Sequence, residues 1–205
     1  MDTVLDLAPV IPVVVLEDAR DAVPLARALV AGGLRAIEVT LRTPAALDSI
    51  AAIAHEVPDA VVGAGTLLDP DQVAAAEAAG ARFLVSPGWT ERLVDAMRGS
   101  GLPYLPGVST VSEVLRLLER GVTDMKFFPA EAAGGAPYLK SLWSPLPQAR
   151  FCPTGGIDAD RAPDYLALPN VACVGGTWML PKEALRTKAW DEVTELARKA
   201  AALAG

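Results

Sequence analysis

Lys126 sits inside Met125-Lys126-Phe127-Phe128-Pro129, an apolar run in which a surface lysine has no reason to be. It is the first of five lysines, and Lys140, Lys182, Lys188 and Lys199 fall in stretches that read as helix or loop. Withdrawing an amine from water favours its neutral, nucleophilic form. Lys126 is therefore a candidate for covalent amine chemistry on a carbonyl carbon. The competing reading is a strand-end lysine whose head snorkels into water. The other polar residues at the strand ends decide between the two.

Side chains alternate along a strand with period two, so Glu38, Thr40 and Arg42 share one face of the run 34–41. Ile37, Val39 and Leu41 form the opposite, apolar face. A carboxylate, a hydroxyl and a guanidinium directed into an interior are costly unless they are paired or used. Glu38 and Lys126 as a satisfied buried ion pair without chemistry is the plain alternative to catalysis. A third run ends Gly63-Ala64-Gly65-Thr66, which offers a hydroxyl and open backbone amides, or simply a tight turn.

Eight Val/Ile/Leu-rich runs must position these groups: 10–16, 34–41, 60–67, 81–87, 102–108, 122–129, 150–156 and 171–178. Their starts lie 20 to 28 residues apart, the length of a strand, a turn and a three-turn helix. Thr43-Pro44 and Asp69-Pro70 read as an N-cap followed by proline at the first helical position. Leu47, Ile50, Ala51 and Ala54 mark one helical face. Thr110 and Glu113 have capping-box spacing, and Gly33, Gly80, Gly101 and Gly121 sit where helix-ending glycines precede a strand. A last helix is expected from about Glu183 to Leu203, long enough to carry oligomer contacts. The pattern predicts an α/β fold, one (β/α)8 TIM barrel spanning residues 1–205, with an open doubly wound sheet as the alternative.

In such a barrel, paired glycines after strands seven and eight are where phosphate binds, through backbone N–H groups. Thr154-Gly155-Gly156 and Gly175-Gly176-Thr177 occupy those places. Lys126 as nucleophile, Glu38 as acid/base, Arg42 with Thr66 as carboxylate ligands and this phosphate cradle fit one substrate class. That class is a 2-oxo acid with a distal phosphate. An iminium on its C2 would act as electron sink for a metal-free retro-aldol cleavage. Phe128 reads as a pocket wall or as ordinary core.

Composition narrows the setting. The chain has 205 residues, 52% hydrophobic and 21% charged, which suits one well-buried domain. A net charge of −7 argues against nucleic acid or an anionic membrane as partner. The apolar runs are strand-length, short of a membrane span. Met1-Asp2-Thr3 lacks the basic start of a secretory signal, so a cytoplasmic location is expected. Cys152 and Cys173 read as small buried core residues rather than a disulfide. The single histidine, His55, reads as a solvated helix end, and neither it nor the cysteines supply a zinc site. No cofactor and no metal are expected.

The stretches Glu38-Val39-Thr40-Leu41-Arg42-Thr43, Gly63-Ala64-Gly65-Thr66, Lys126-Phe127-Phe128-Pro129-Ala130-Glu131 and Phe151-Cys152-Pro153-Thr154-Gly155-Gly156 resemble a known family. It is that of the 2-dehydro-3-deoxy-phosphogluconate aldolases, also described as 4-hydroxy-2-oxoglutarate aldolases. The resemblance runs from about Val10 to the last helix. It implies that Lys126 is the Schiff-base lysine, Glu38 the proton-transferring carboxylate, and Arg42 and Thr66 ligands of the pyruvate-derived carboxylate. Thr154, Gly155, Gly156, Gly175, Gly176 and Thr177 would hold phosphate. It further implies a homotrimer that cleaves 2-dehydro-3-deoxy-6-phosphogluconate to pyruvate and glyceraldehyde 3-phosphate. Thr177 departs from the serine expected there; the hydroxyl is kept and a methyl is added. A Schiff-base dehydratase and a non-catalytic phosphate-binding barrel are the rival functions.

Overall fold

The computed structural model describes residues 4–203; Met1, Asp2 and Thr3, read above for their lack of positive charge, lie outside the described residues. Strands and helices alternate along the chain. The strands are β1 (Val10–Val14), β2 (Ala36–Thr40), β3 (Val61–Gly65), β4 (Leu84–Val85), β5 (Tyr104–Leu105), β6 (Gly107–Val108), β7 (Asp124–Phe127), β8 (Arg150–Pro153) and β9 (Val174–Gly176). The helices are α1 (Ala22–Ala31), α2 (Ala46–Glu56), α3 (Pro70–Ala78), α4 (Glu91–Gly99), α5 (Val111–Glu119), α6 (Gly135–Leu142), α7 (Ala162–Leu166), α8 (Lys182–Thr187) and α9 (Trp190–Ala201).

All strand pairs are parallel, in the orders β5-β4-β3-β2-β1-β9 and β6-β7-β8. Two further bridges, Phe151↔Val171 and Thr154↔Gly175, join β8 to the β9 strand. On the other side, β5 and β6 are two pieces of one pass, parted at Pro106, which has no N–H to give the ladder. The ring therefore closes with eight passes. This is the expected (β/α)8 barrel, and closure rules out the open doubly wound sheet.

Two apolar layers follow from the strand alternation. Ile37, Val39, Met125 and Phe127 point outward into the large cluster beneath the helices. Ile11, Ala36, Phe83, Val85, Leu105, Cys152 and Cys173 fill the barrel interior, where Val4 and Leu5 join them from the 3-10 turn Val4–Asp6. The N-terminal segment thus stoppers the end from which the strands start, and Asp6 pairs there with Arg150 at the head of β8. Both cysteines are buried free thiols, as read from their surroundings in sequence.

The caps divide into those that formed and one that did not. Asp69 accepts from the Gln72 N–H at 2.9 Å with Pro70 at the start of α3, and Thr110 and Glu113 close the capping box of α5. Thr43 is not an N-cap. Its hydroxyl donates to the Leu16 carbonyl at 2.5 Å, tying β2 to the β1 end, and α2 begins only at Ala46, behind Ala45. Of the face expected for α2 only Ile50 is buried; it is joined by Ala46, Ser49 and Ile53, whereas Leu47 is half-buried and Ala51 and Ala54 are exposed. His55 is exposed near the end of that helix, as expected. Gly33, Gly80, Gly101 and Gly121 do take the left-handed conformation behind their helices. The single terminal helix expected from 183 to 203 is broken into α8 and α9 by Lys188 at φ 56°, so that α9 can turn back onto α1. Thr194 there donates to the Ala28 carbonyl at 3.2 Å. No helix among the described residues is long and apolar enough to cross a membrane.

Candidate active site

Met125 and Phe127 face outward, so Lys126 between them must face the barrel interior. Its register partners are Gly107 on β6 and Cys152 on β8. Glu38 projects inward from β2, in register with Val13 and Gly63. The two side chains meet across the interior, with Lys126 Nζ 3.1 Å from Glu38 Oε1 and each residue only 3% exposed. Space for the carboxylate comes from Gly65, where a Cβ would lie 2.2 Å from Glu38 Oε1. Withdrawing two charges from water costs several kcal/mol per ion, which the pairing only partly offsets. A structural role alone is a poor reason to keep such a pair.

Thr40, the third polar group of β2, has a different use. It is fully buried and its hydroxyl donates to the Val14 carbonyl at 2.9 Å, which fastens β2 to β1. Arg42 lies beyond the strand end and is exposed; its Nε donates to Thr66 Oγ1 at 3.2 Å. No carboxylate pairs with this guanidinium among the described residues. Thr66 holds φ 61°, a conformation costing a β-branched residue about 1–2 kcal/mol. The Leu67 N–H, bonded to the Val85 carbonyl at 3.2 Å, helps fix it there. Arg42 and Thr66 therefore present a cation and a hydroxyl side by side at the rim, an arrangement suited to a carboxylate.

Phe128 leaves the end of β7 with its ring centroid 5.4 Å from Lys126 Nζ. A Cβ built on Gly155 would lie 3.5 Å from that same ring, so Phe128 stands between the lysine and the β8 turn. Gly155 and Gly156 have φ of 107° and 80°; successive residues of this kind aim backbone amides into a concave turn. Thr154 is buried and pairs with Gly175, whose missing side chain leaves room for the Thr154 hydroxyl: a Cβ there would lie 2.3 Å from Oγ1. Gly176 lies against the Trp178 ring, and Thr177 is exposed at the start of a turn closed by Leu180 N–H onto the Thr177 carbonyl at 2.9 Å. The two glycine pairs expected at the phosphate end are thus brought to adjacent strand ends.

One cluster beside this turn is absent from the sequence reading. Glu131, five residues after Lys126, accepts a hydrogen bond from the Tyr165 hydroxyl, and its other oxygen lies 3.5 Å from Arg161 Nε. Burial, and then the bond to Glu131, push the Tyr165 phenol up beyond its ordinary range. Nothing local in sequence links residues 131, 161 and 165. Deeper in the barrel the Cys173 thiol is likewise pushed up, first by its hydrogen bond with Cys152 and then by burial. Both thiols belong to the interior apolar cluster.

The geometry can be set against known proteins. A family model described as "Aldolase: KDPG and KHG aldolase" matches residues 1–196. The 2-dehydro-3-deoxy-phosphogluconate aldolase of Pseudoalteromonas atlantica is 52% identical over 199 residues, covering 97% of this chain and 93% of that protein. A crystal structure of KDPG aldolase from Legionella pneumophila, with pyruvate captured as a covalent carbinolamine, superposes with a TM-score of 0.94. It is 48% identical and is matched over 97% of this chain and 96% of that one. The 2-keto-3-deoxy-6-phosphogluconate aldolase of Zymomonas mobilis with 3-phosphoglycerate gives a TM-score of 0.91 at 48% identity, over 98% and 94% of the two chains. With a match of this depth along nearly its whole length, the chain belongs to the KDPG and KHG aldolase family.

Proposed function

We propose that this chain, acting as one barrel domain, is a class I, metal-independent aldolase. It cleaves 2-dehydro-3-deoxy-6-phosphogluconate to pyruvate and glyceraldehyde 3-phosphate, and also takes 4-hydroxy-2-oxoglutarate to pyruvate and glyoxylate. The observation that carries the reading is the buried contact of 3.1 Å between Lys126 Nζ and Glu38 Oε1, beneath a rim cation that pairs with no carboxylate among the described residues. The relative holding pyruvate as a carbinolamine supports amine attack on a 2-oxo acid, and the relative with 3-phosphoglycerate supports a phosphorylated ligand.

The steps follow from placement. Arg42 and Thr66 hold the substrate carboxylate, which brings C2 to the lysine. Lys126 passes its proton to Glu38 and attacks C2, giving a carbinolamine. Glu38 returns a proton to the departing hydroxyl, water leaves, and an iminium remains. Glu38, again a carboxylate, takes the C4 hydroxyl proton, and the C3–C4 bond breaks. Its electron pair flows into the iminium as an enamine, and C4 departs as the aldehyde of glyceraldehyde 3-phosphate. Glu38 protonates the enamine at C3, water adds to C2, and pyruvate leaves with the amine restored. Phe128 shields the iminium from bulk water. Thr154, Gly155, Gly156, Gly175, Gly176 and Thr177 hold the phosphate through backbone amides and hydroxyls. The family resemblance implies a homotrimer as the working form, and a cytoplasmic location is in keeping with the two free, buried thiols.

Borohydride reduction in the presence of pyruvate, read by mass spectrometry of the intact chain and its peptides, tests the proposal. One reduced pyruvyl adduct on Lys126 is expected, and Lys126→Ala should abolish it. An adduct on Lys140, Lys182, Lys188 or Lys199, or none, would overturn the mechanism. Product analysis separates the aldolase from the rival dehydratase, which would release no aldehyde.

A further inference from the structure

We propose that Glu131 is a positioning residue for the phosphate end, its carboxylate fixing the Gly155–Gly156 turn relative to Lys126. The inference rests on the phosphate reading of that turn and adds to it the group that sets its place.

Glu131 belongs to the loop that follows β7, and this loop is laced to the β8 turn through its backbone. Ala130 N–H donates to the Thr154 carbonyl at 2.8 Å and Glu131 N–H to the Gly155 carbonyl at 3.1 Å. The side chain then lies on Gly156, where a Cβ would stand 2.7 Å from Glu131 Cγ and 2.8 Å from its Cβ. Beyond that point the two carboxylate oxygens take different partners. Oε1 accepts from the hydroxyl of Tyr165, a residue of α7 only 1% exposed and so fixed in the core. Oε2 lies 3.5 Å from Arg161 Nε, and Arg161 Nη1 reaches the Gly156 carbonyl at 3.4 Å and Asp158 Oδ2 at 2.5 Å. The carboxylate thus joins three pieces: the loop that follows the lysine's strand, the glycine turn, and the buried tyrosine of α7.

An acid beside a phosphate site is a like charge and needs a reason. Here Oε1 accepts from Tyr165 and Oε2 faces the Arg161 guanidinium, so the charge is matched on the side facing α7. Glutamine loses the charge that faces Arg161, and its amide must turn the Tyr165 hydroxyl from donor into acceptor or give up one partner. The residue works through the turn it holds, without touching the reacting atoms.

Steady-state kinetics of Glu131→Gln and Tyr165→Phe on both substrates test this, with inorganic phosphate as competitive inhibitor. The expected result is a rise of about tenfold in KM for the phosphorylated substrate and in the inhibition constant of phosphate. The loss on unphosphorylated 4-hydroxy-2-oxoglutarate should stay below about twofold, and the double variant should be little worse than either single one. A lowered Tm with unchanged KM for the phosphorylated substrate, or equal losses on both substrates, would reduce Glu131 to a structural residue and overturn the proposal. Thr177→Ala separates the two levels of argument. If it raises that KM while Glu131→Gln does not, only the positioning role fails. If phosphate does not inhibit the parent enzyme and Thr177→Ala changes nothing, the phosphate assignment fails and takes this inference with it.

Discussion

Glu38 and Lys126 are 88 positions apart in the chain and 3.1 Å apart in the barrel. Each can be altered without emptying the other's place, which makes their roles separable. Glu38→Gln should still yield the borohydride-trapped adduct, more slowly, because the amine remains. Turnover should fall by about 10²–10⁴, the usual contribution of a positioned acid/base; steady-state rates near those of the parent would remove Glu38 from the mechanism. At this scale the sequence was informative where a residue contradicted its neighbours. A lysine among phenylalanines and a glutamate on the polar phase of an apolar strand announce themselves. The Arg42–Thr66 bond could not be read as a contact, since it depends on Thr66 holding a left-handed backbone that nothing in its type suggests. Glu131 was noted in sequence without a role, because its partners come from the next loop and helix.

The elements behave according to how local their instructions are. Asp69-Pro70 and Thr110–Glu113 contain their own cap chemistry and formed as read. Thr43 had a better acceptor in the Leu16 carbonyl, a partner just beyond the preceding strand, and so gave up the cap. Strands shortened for a similar reason: the pass at 102–108 is cut by the missing N–H of Pro106, and the run 81–87 keeps only Leu84–Val85 as regular ladder. The α5 cap also makes a pH-dependent contribution. Burial alone would raise the Glu113 carboxyl, but hydrogen bonds from the Ser109 and Thr110 amides and hydroxyls outweigh it and hold the group below its ordinary range. A carboxyl lowered on folding stabilises the fold at pH values above its unfolded value, and that stabilisation is lost as pH falls through the folded one. Glu113→Gln should therefore cost about 1 kcal/mol near neutrality, a Tm drop of roughly 2–4 °C. The gap should narrow once pH falls below about 4; a gap independent of pH would show that the charge of Glu113 is not what matters.

The molecule as a whole divides its labour between the two ends of the barrel. The candidate site gathers where the strands finish, and the opposite end is stoppered by Val4 and Leu5 against Ile11 and Ala36. Leu5→Ala should remove about 3 kcal/mol, lowering Tm by roughly 6–12 °C, while kcat at 25 °C stays as in the parent. A loss of kcat at full folding would show that the two ends are coupled. Between the ends, the interior is filled by partnerships of a large group with a glycine on a neighbouring strand. The Phe83 ring occupies the place of a Cβ on Gly63, Glu38 that on Gly65, and Thr154 that on Gly175. Neither member of such a couple is free to drift by itself: enlarging the glycine evicts its guest, and shrinking the guest leaves a hole. Among descendants of one ancestral barrel, these positions should change hands in twos, so that the history of the pocket is written in correlated exchanges across strands.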